Sequence, residues 1–111
     1  MAARAKLITG DDAVVAVDLT LNGAAYVVDP SAVVKAALID VAHTQLLTSV
    51  ATIASTDTGN DWPAGRVGVP FAGSETATLA AGLYKIEIEV TVGGVKKTWH
   101  AELGVARGLI S

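Results

Sequence analysis

No cysteine occurs in the 111 residues. A disulfide framework, a thiolate nucleophile and a Cys-ligated zinc site are therefore excluded, though the compartment is not fixed by this. Aromatic residues are few, with two Trp, two Tyr and one Phe. Aromatic platforms of the kind that hold sugars are accordingly scarce. Only two histidines are present, His43 and His100. Neither lies in a metal or hydrolase motif, and no G-x-S-x-G occurs. The eight basic residues are scattered and the net charge is −3. A nucleic-acid footprint would be clustered and basic, so no nucleic-acid partner is expected. No apolar run approaches the ~18 residues of a membrane-spanning helix, and the N-terminus lacks the apolar core of a signal peptide. No membrane partner, metal or cofactor is expected, and no catalytic activity.

What is present is a high apolar fraction, 51%, built on Ala and Val. One domain of this length can bury a core without metal or disulfides. The apolar excess has two readings: surface covered by partners, or an Ala-rich composition alone.

The most informative stretch runs from Tyr84 to Leu103. Tyr84, Ile86, Ile88, Val90 and Val92 alternate with Lys85, Glu87, Glu89 and Thr91, the period of a strand with one buried face. Gly93-Gly94 accepts the positive φ of a two-residue hairpin turn. Counting outward pairs Val92 with Val95, Ile88 with Trp99, Ile86 with Ala101 and Tyr84 with Leu103. The other face pairs Glu87 with His100 and Lys85 with Glu102. A one-residue slip would mix the faces. Trp99 is expected in the core. Lys97 is the exception on that face, with a stem long enough to reach water.

Upstream, Leu7-Ile8-Thr9 suggests a first strand and Val15 to Leu21 a second. Asn22-Gly23 signals a hairpin into Ala24–Val28. Residues 32–40 fit a strand or a helix started by Asp29-Pro30; strand is preferred because the neighbouring elements are strands. Residues 46–54 are β-branched-rich and read as strand. Ser55 to Gly65 is a polar loop. Val67, Val69 and Phe71 alternate toward a core, while Pro70 cannot donate to a ladder and restricts that strand to one-sided pairing. Gly73-Ser74 reads as a turn. The sum is an all-β chain of about seven or eight strands, expected as an antiparallel sandwich and a single domain over 1–111, with a 1–6 arm and a 107–111 tail.

Asp57, Asn60 and Asp61 have two readings, calcium ligands or turn residues capping backbone groups; the second is preferred, as for Asp11 and Asp12. Trp62 is either a plug over the end of the fold or an exposed anchor, with packing preferred. The candidate partner contacts are Arg4 and Lys6 in the arm, Trp62, and Leu109 and Ile110 in the tail.

At L-A-A-G-L-Y-K-I-E-I-E-V (Leu79 to Val90) an apolar residue, a Gly and a Tyr open a long strand. This resembles the corner before the penultimate strand of immunoglobulin-like domains. With W-P-A-G-R-V-G-V-P-F (Trp62 to Phe71), the Asp18–Gly23 stretch and the closing T-W-H-A-E-L-G-V, the chain resembles bacteriophage virion proteins with an immunoglobulin-like sandwich. The likeness is in particular to the N-terminal domain of baseplate upper proteins and related tail modules. The resemblance covers roughly residues 7–106 and implies a non-enzymatic module that docks on other virion proteins. The site would be the tail, baseplate or fibre-attachment region, and the module a homo-oligomer within a particle made in the bacterial cytoplasm. A free-standing copy also fits a capsid decoration or head–tail connector protein. An adhesin or carbohydrate-binding module is the reading from another class, disfavoured by the missing signal peptide.

Overall fold

The computed structural model describes residues 5–106. The chain is all-β there: strands β1 (Ala5–Ile8), β2 (Ala13–Asp18), β3 (Thr20–Leu21), β4 (Ala24–Ala25), β5 (Val33–Ile39), β6 (Ala51–Ile53), β7 (Arg66–Phe71), β8 (Gly82–Val92) and β9 (Val95–Ala106). A 3-10 turn spans Trp62–Ala64, and a single helical turn, α1, spans Gly73–Thr76.

The β8–β9 hairpin is the frame. Its register pairs Val92 with Val95, Ile88 with Trp99, Ile86 with Ala101, Tyr84 with Leu103 and Glu87 with His100, as the alternation requires. Gly93 and Gly94 both have positive φ (57° and 82°), and so do Asn22 and Gly23 (54° and 82°). Both turns therefore match the right-handed strand twist. Strand β5 lies antiparallel to β8 on its other side, and β6 closes that end. Residues 33–39 are thus strand, not helix. Central pairing and burial on both faces, including Ala37 and Ile39, override the helical start signal.

The sheet order is β1-β9-β8-β5-β6, and it curls as a half-barrel. The purely antiparallel expectation is corrected at β1. Ala5–Ile8 runs parallel to Leu103–Ala106. A parallel partner almost a hundred residues away leaves no local trace in sequence, unlike a hairpin. Strands β2 and β7 form a separate antiparallel ribbon. β1 touches β2 and β6 touches β7, so ribbon and sheet enclose one core. Val15, Val67, Val69 and Phe71 meet Val34, Leu38, Ile86, Ile88, Val90 and Leu103 inside it.

Five further expectations are corrected. The second strand breaks at Leu19, whose N–H still reaches Gly65 O but whose carbonyl accepts from Tyr26 N, so that Thr20–Leu21 pair with Ala24–Ala25. The 24–28 strand shortens to Ala24–Ala25. Val28 N instead donates to Trp62 O. The 46–54 strand shortens to Ala51–Ile53 because its upstream part meets β5 in a different register: Leu46 bridges Ile39 and Leu47 N donates to Leu38 O, out of step with the Ala36–Ala51 pairing. Gly73-Ser74 opens α1 instead of a simple turn. Asp12 Oδ1 accepts from Gly73 N at 2.7 Å, and the buried Thr76 Oγ1 accepts from Gly10 N. Trp99 is half-buried, not fully core. Its Nε1 donates to Thr20 O at 2.9 Å and its ring lies 4.8 Å from Tyr26.

Candidate functional site

The β2–β7 ribbon has two edges, and the chain treats them differently. Leu19 N donates to Gly65 O in continuation of the ladder that pairs residue 17 with 67 and 15 with 69. In an antiparallel pair, hydrogen-bonded and non-hydrogen-bonded positions alternate. The backbone groups of Val15 and Val17 therefore point toward β7, and those of Val14, Ala16 and Asp18 point away from it. By the same parity, Arg66, Gly68 and Pro70 point to the outer edge of β7.

That outer edge of β7 is closed position by position. Asp61 and Arg66 exchange two backbone hydrogen bonds of 2.9 Å. Gly68 N donates to Asn60 Oδ1 at 3.0 Å, with Asn60 Nδ2 3.5 Å from Gly68 O, so one amide side chain stands in for a neighbouring strand. Pro70 has no N–H to offer. The loop approaches closely enough that only Gly fits at 68, since a Cβ there would lie 2.4 Å from Thr58 O.

Asn60 also accepts from Trp62 Nε1 at 2.9 Å. Trp62 is 4% exposed and packs in the core, which leaves no exposed indole for a partner. The anchor reading of Trp62 is therefore replaced by the packing one. Asp57 Oδ2 accepts from Ala54 N at 2.8 Å, so this loop uses its side chains as caps. Among the described residues no group of three or more His, Cys, Asp or Glu is placed to hold a metal.

Among the described residues the outer edge of β2 has no such cover. Among the described residues no hydrogen-bond partner reaches the outward groups of Val14, Ala16 and Asp18. Val14 is 44% exposed, and Ala16 and Asp18 are exposed too. The Asp18 carboxylate accepts from Arg66 Nε at 2.9 Å, which holds the guanidinium still more firmly protonated.

A second feature lies on the outer face of the five-stranded sheet. Glu87 Oε1 is 3.0 Å from His100 Nε2, as the cross-strand register requires. The loop after β5 brings His43 over it, with the two imidazole centroids 4.2 Å apart. His43 adopts φ +59°, and Asp40 fixes the loop by accepting from Thr44 N, the Thr44 hydroxyl and Gln45 N. Those bonds, the Thr44 hydroxyl foremost, hold the Asp40 carboxyl below its usual value. Beside it Ala37, Leu46, Val50 and Glu89 line a shallow groove of about 270 Å³. Leu46 and Val50 are more than half exposed.

Lys6 lies in β1 opposite Gly104. Arg4, Leu109 and Ile110 fall outside the described residues. The exposed edge of β2 and the His43–His100 contact were not anticipated. The first needs knowledge of which strands pair, and the second needs a loop path. No family model, curated protein or solved structure matches the chain significantly.

Proposed function

We propose that this chain is a non-enzymatic bacteriophage virion structural protein, an assembly and docking module of the tail, baseplate or fibre-attachment region. The observation that carries the reading is the corner at Tyr84. Its hydroxyl donates to Ala80 O, four residues upstream, at 2.7 Å. A Tyr at the head of the penultimate strand, bonded back to the preceding corner, is a hallmark of immunoglobulin-like domains. The strand order supports the same likeness. β9-β8-β5-β6 follows the G-F-C-C′ order of variable-type sheets, and β2-β7 follows B-E. The step from that fold to a virion is analogy, supported by the sequence resemblance and by the exposed apolar side chains of Val14, Leu46 and Val50.

Immunogold electron microscopy tests the reading, with antibody to this chain on phage particles purified from the source culture. Gold at the tail or baseplate is expected. Gold spread over the head replaces it with a capsid decoration role. Unlabelled particles, from cells in which the chain is detected, overturn it.

A further inference from the structure

The contrast between the two ribbon edges calls for an explanation. An unpaired edge is a template for another chain, and proteins blunt such edges with charge, proline, bulges or cover. β7 is blunted at all three of its outward positions. β2 presents Ala13-Val14-Val15-Ala16-Val17, six residues with Asp18, paired along their whole length to β7 on one side only. That run holds no charge before Asp18 and no proline.

We infer that this edge binds the same edge of a second copy, antiparallel across a two-fold axis, joining two ribbons into one β7-β2-β2-β7 sheet. The inference deepens the assembly reading and rests on it for its biological setting, but its geometry stands on β2 alone. Two conditions select the register. Outward-pointing residues must face outward-pointing residues, or the ladder bonds cannot form. Inward side chains must face inward side chains, or the apolar face is mixed.

Two symmetric registers meet both conditions over most of the strand. One centres near Val15 and sets Asp12 opposite Asp18 of the second copy, twice per dimer, and like charges directly opposite are unfavourable. The other centres on Ala16. It sets Ala16 against Ala16, Val15 against Val17 and Val14 against Asp18, with Asp12 opposite Thr20. The edge is compatible with itself in charge only in this second register. There the pairs formed by Val14, Ala16 and Asp18 exchange about six backbone hydrogen bonds. Recognition of this kind is strand addition, with the main chain supplying affinity and the facing side chains the register.

The test uses the full chain in sedimentation equilibrium, with amide hydrogen exchange measured at low and high concentration. Wild type is expected to dimerise with concentration, and the amides of Val14, Ala16 and Asp18 to become protected in the dimer. Val14→Asp would face Asp18 of the other copy at both ends and weaken dimerisation about tenfold. Val14→Lys would face the same Asp18 and dimerise at least as well as wild type. Ala16→Lys would set two ammonium groups together on the axis and abolish the dimer. Thermal melts check that these exposed-site variants are folded. A wild type that stays monomeric at the highest soluble concentration overturns the inference. So does a dimer whose three outward amides exchange freely, or equal effects of Asp and Lys at position 14. These outcomes are independent of particle labelling: a labelled tail with a monomeric protein would leave the assembly reading standing and remove the edge from it.

Discussion

Asn60 offers the sharpest test of how the ribbon is held. Its Oδ1 accepts from Gly68 N at 3.0 Å and from Trp62 Nε1 at 2.9 Å, and both donors belong to buried residues. Asn60→Ala removes the acceptor and leaves two N–H groups without a partner. A buried donor left unsatisfied costs about 1–3 kcal/mol, so the two together span about 2–6 kcal/mol. The loop around Asn60 is exposed and lets water reach at least one of them, which places the expected loss at about 2–3 kcal/mol. At about 4 °C per kcal/mol for a domain of this size, Tm should fall by about 8–12 °C. Asn60→Asp retains an acceptor for both donors and loses the Nδ2 bonds to Asp57 O, Thr58 O and Gly68 O. It should cost about half as much. Urea unfolding followed by tryptophan fluorescence and far-UV circular dichroism gives both values. An Asn60→Ala midpoint within about 0.5 kcal/mol of wild type, or Asp as damaging as Ala, would refute the assignment of Asn60 as the closure of β7.

Three further predictions concern other parts of the fold. Trp99→Ala should cost about 2 kcal/mol in chemical denaturation, below the ~3–5 kcal/mol of a fully buried Trp, because the ring is half-exposed and loses one bond to Thr20 O and the contact with Tyr26. Gly73→Ala should cost about 2–3 kcal/mol by the same measurement, since its Cβ would lie 2.2 Å from Gly10 O, a backbone atom that cannot step aside. The hydrogen bond from the Thr44 hydroxyl and the backbone bonds beside it hold the Asp40 carboxyl below the ordinary carboxylate value in the folded chain. Its contribution is therefore fully present above about pH 4 and lost as pH falls through the folded value. The Thr44 and Gln45 amide resonances should shift in that acid range in wild type and stay still in Asp40→Ala.

The β8–β9 hairpin was legible in the sequence to the residue, because a two-residue turn and period-two alternation over eleven residues leave one register that keeps both faces intact. Pro70 foretold one-sided pairing for β7, and the turn residues Asp57 and Asn60 foretold caps. What was hidden depends on distant partners. The parallel contact of β1 with β9 carries no local signal. Residues 46–48 have strand composition yet meet β5 in a register that does not continue that of β6. β2 ends early because the Leu19 carbonyl is taken by Tyr26 N as the chain enters the β3–β4 hairpin. The free edge of β2 is hidden for a related reason. Alternation shows which face of a strand is buried, but only the pairing shows which side lacks a neighbour.

Copy number in the particle tests the central claim most directly. Quantitative mass spectrometry on purified particles from the source culture would measure this chain against the major capsid protein. A small number of copies, of the size of a tail or baseplate ring, is the predicted result. Absence of the chain from purified particles would contradict the account.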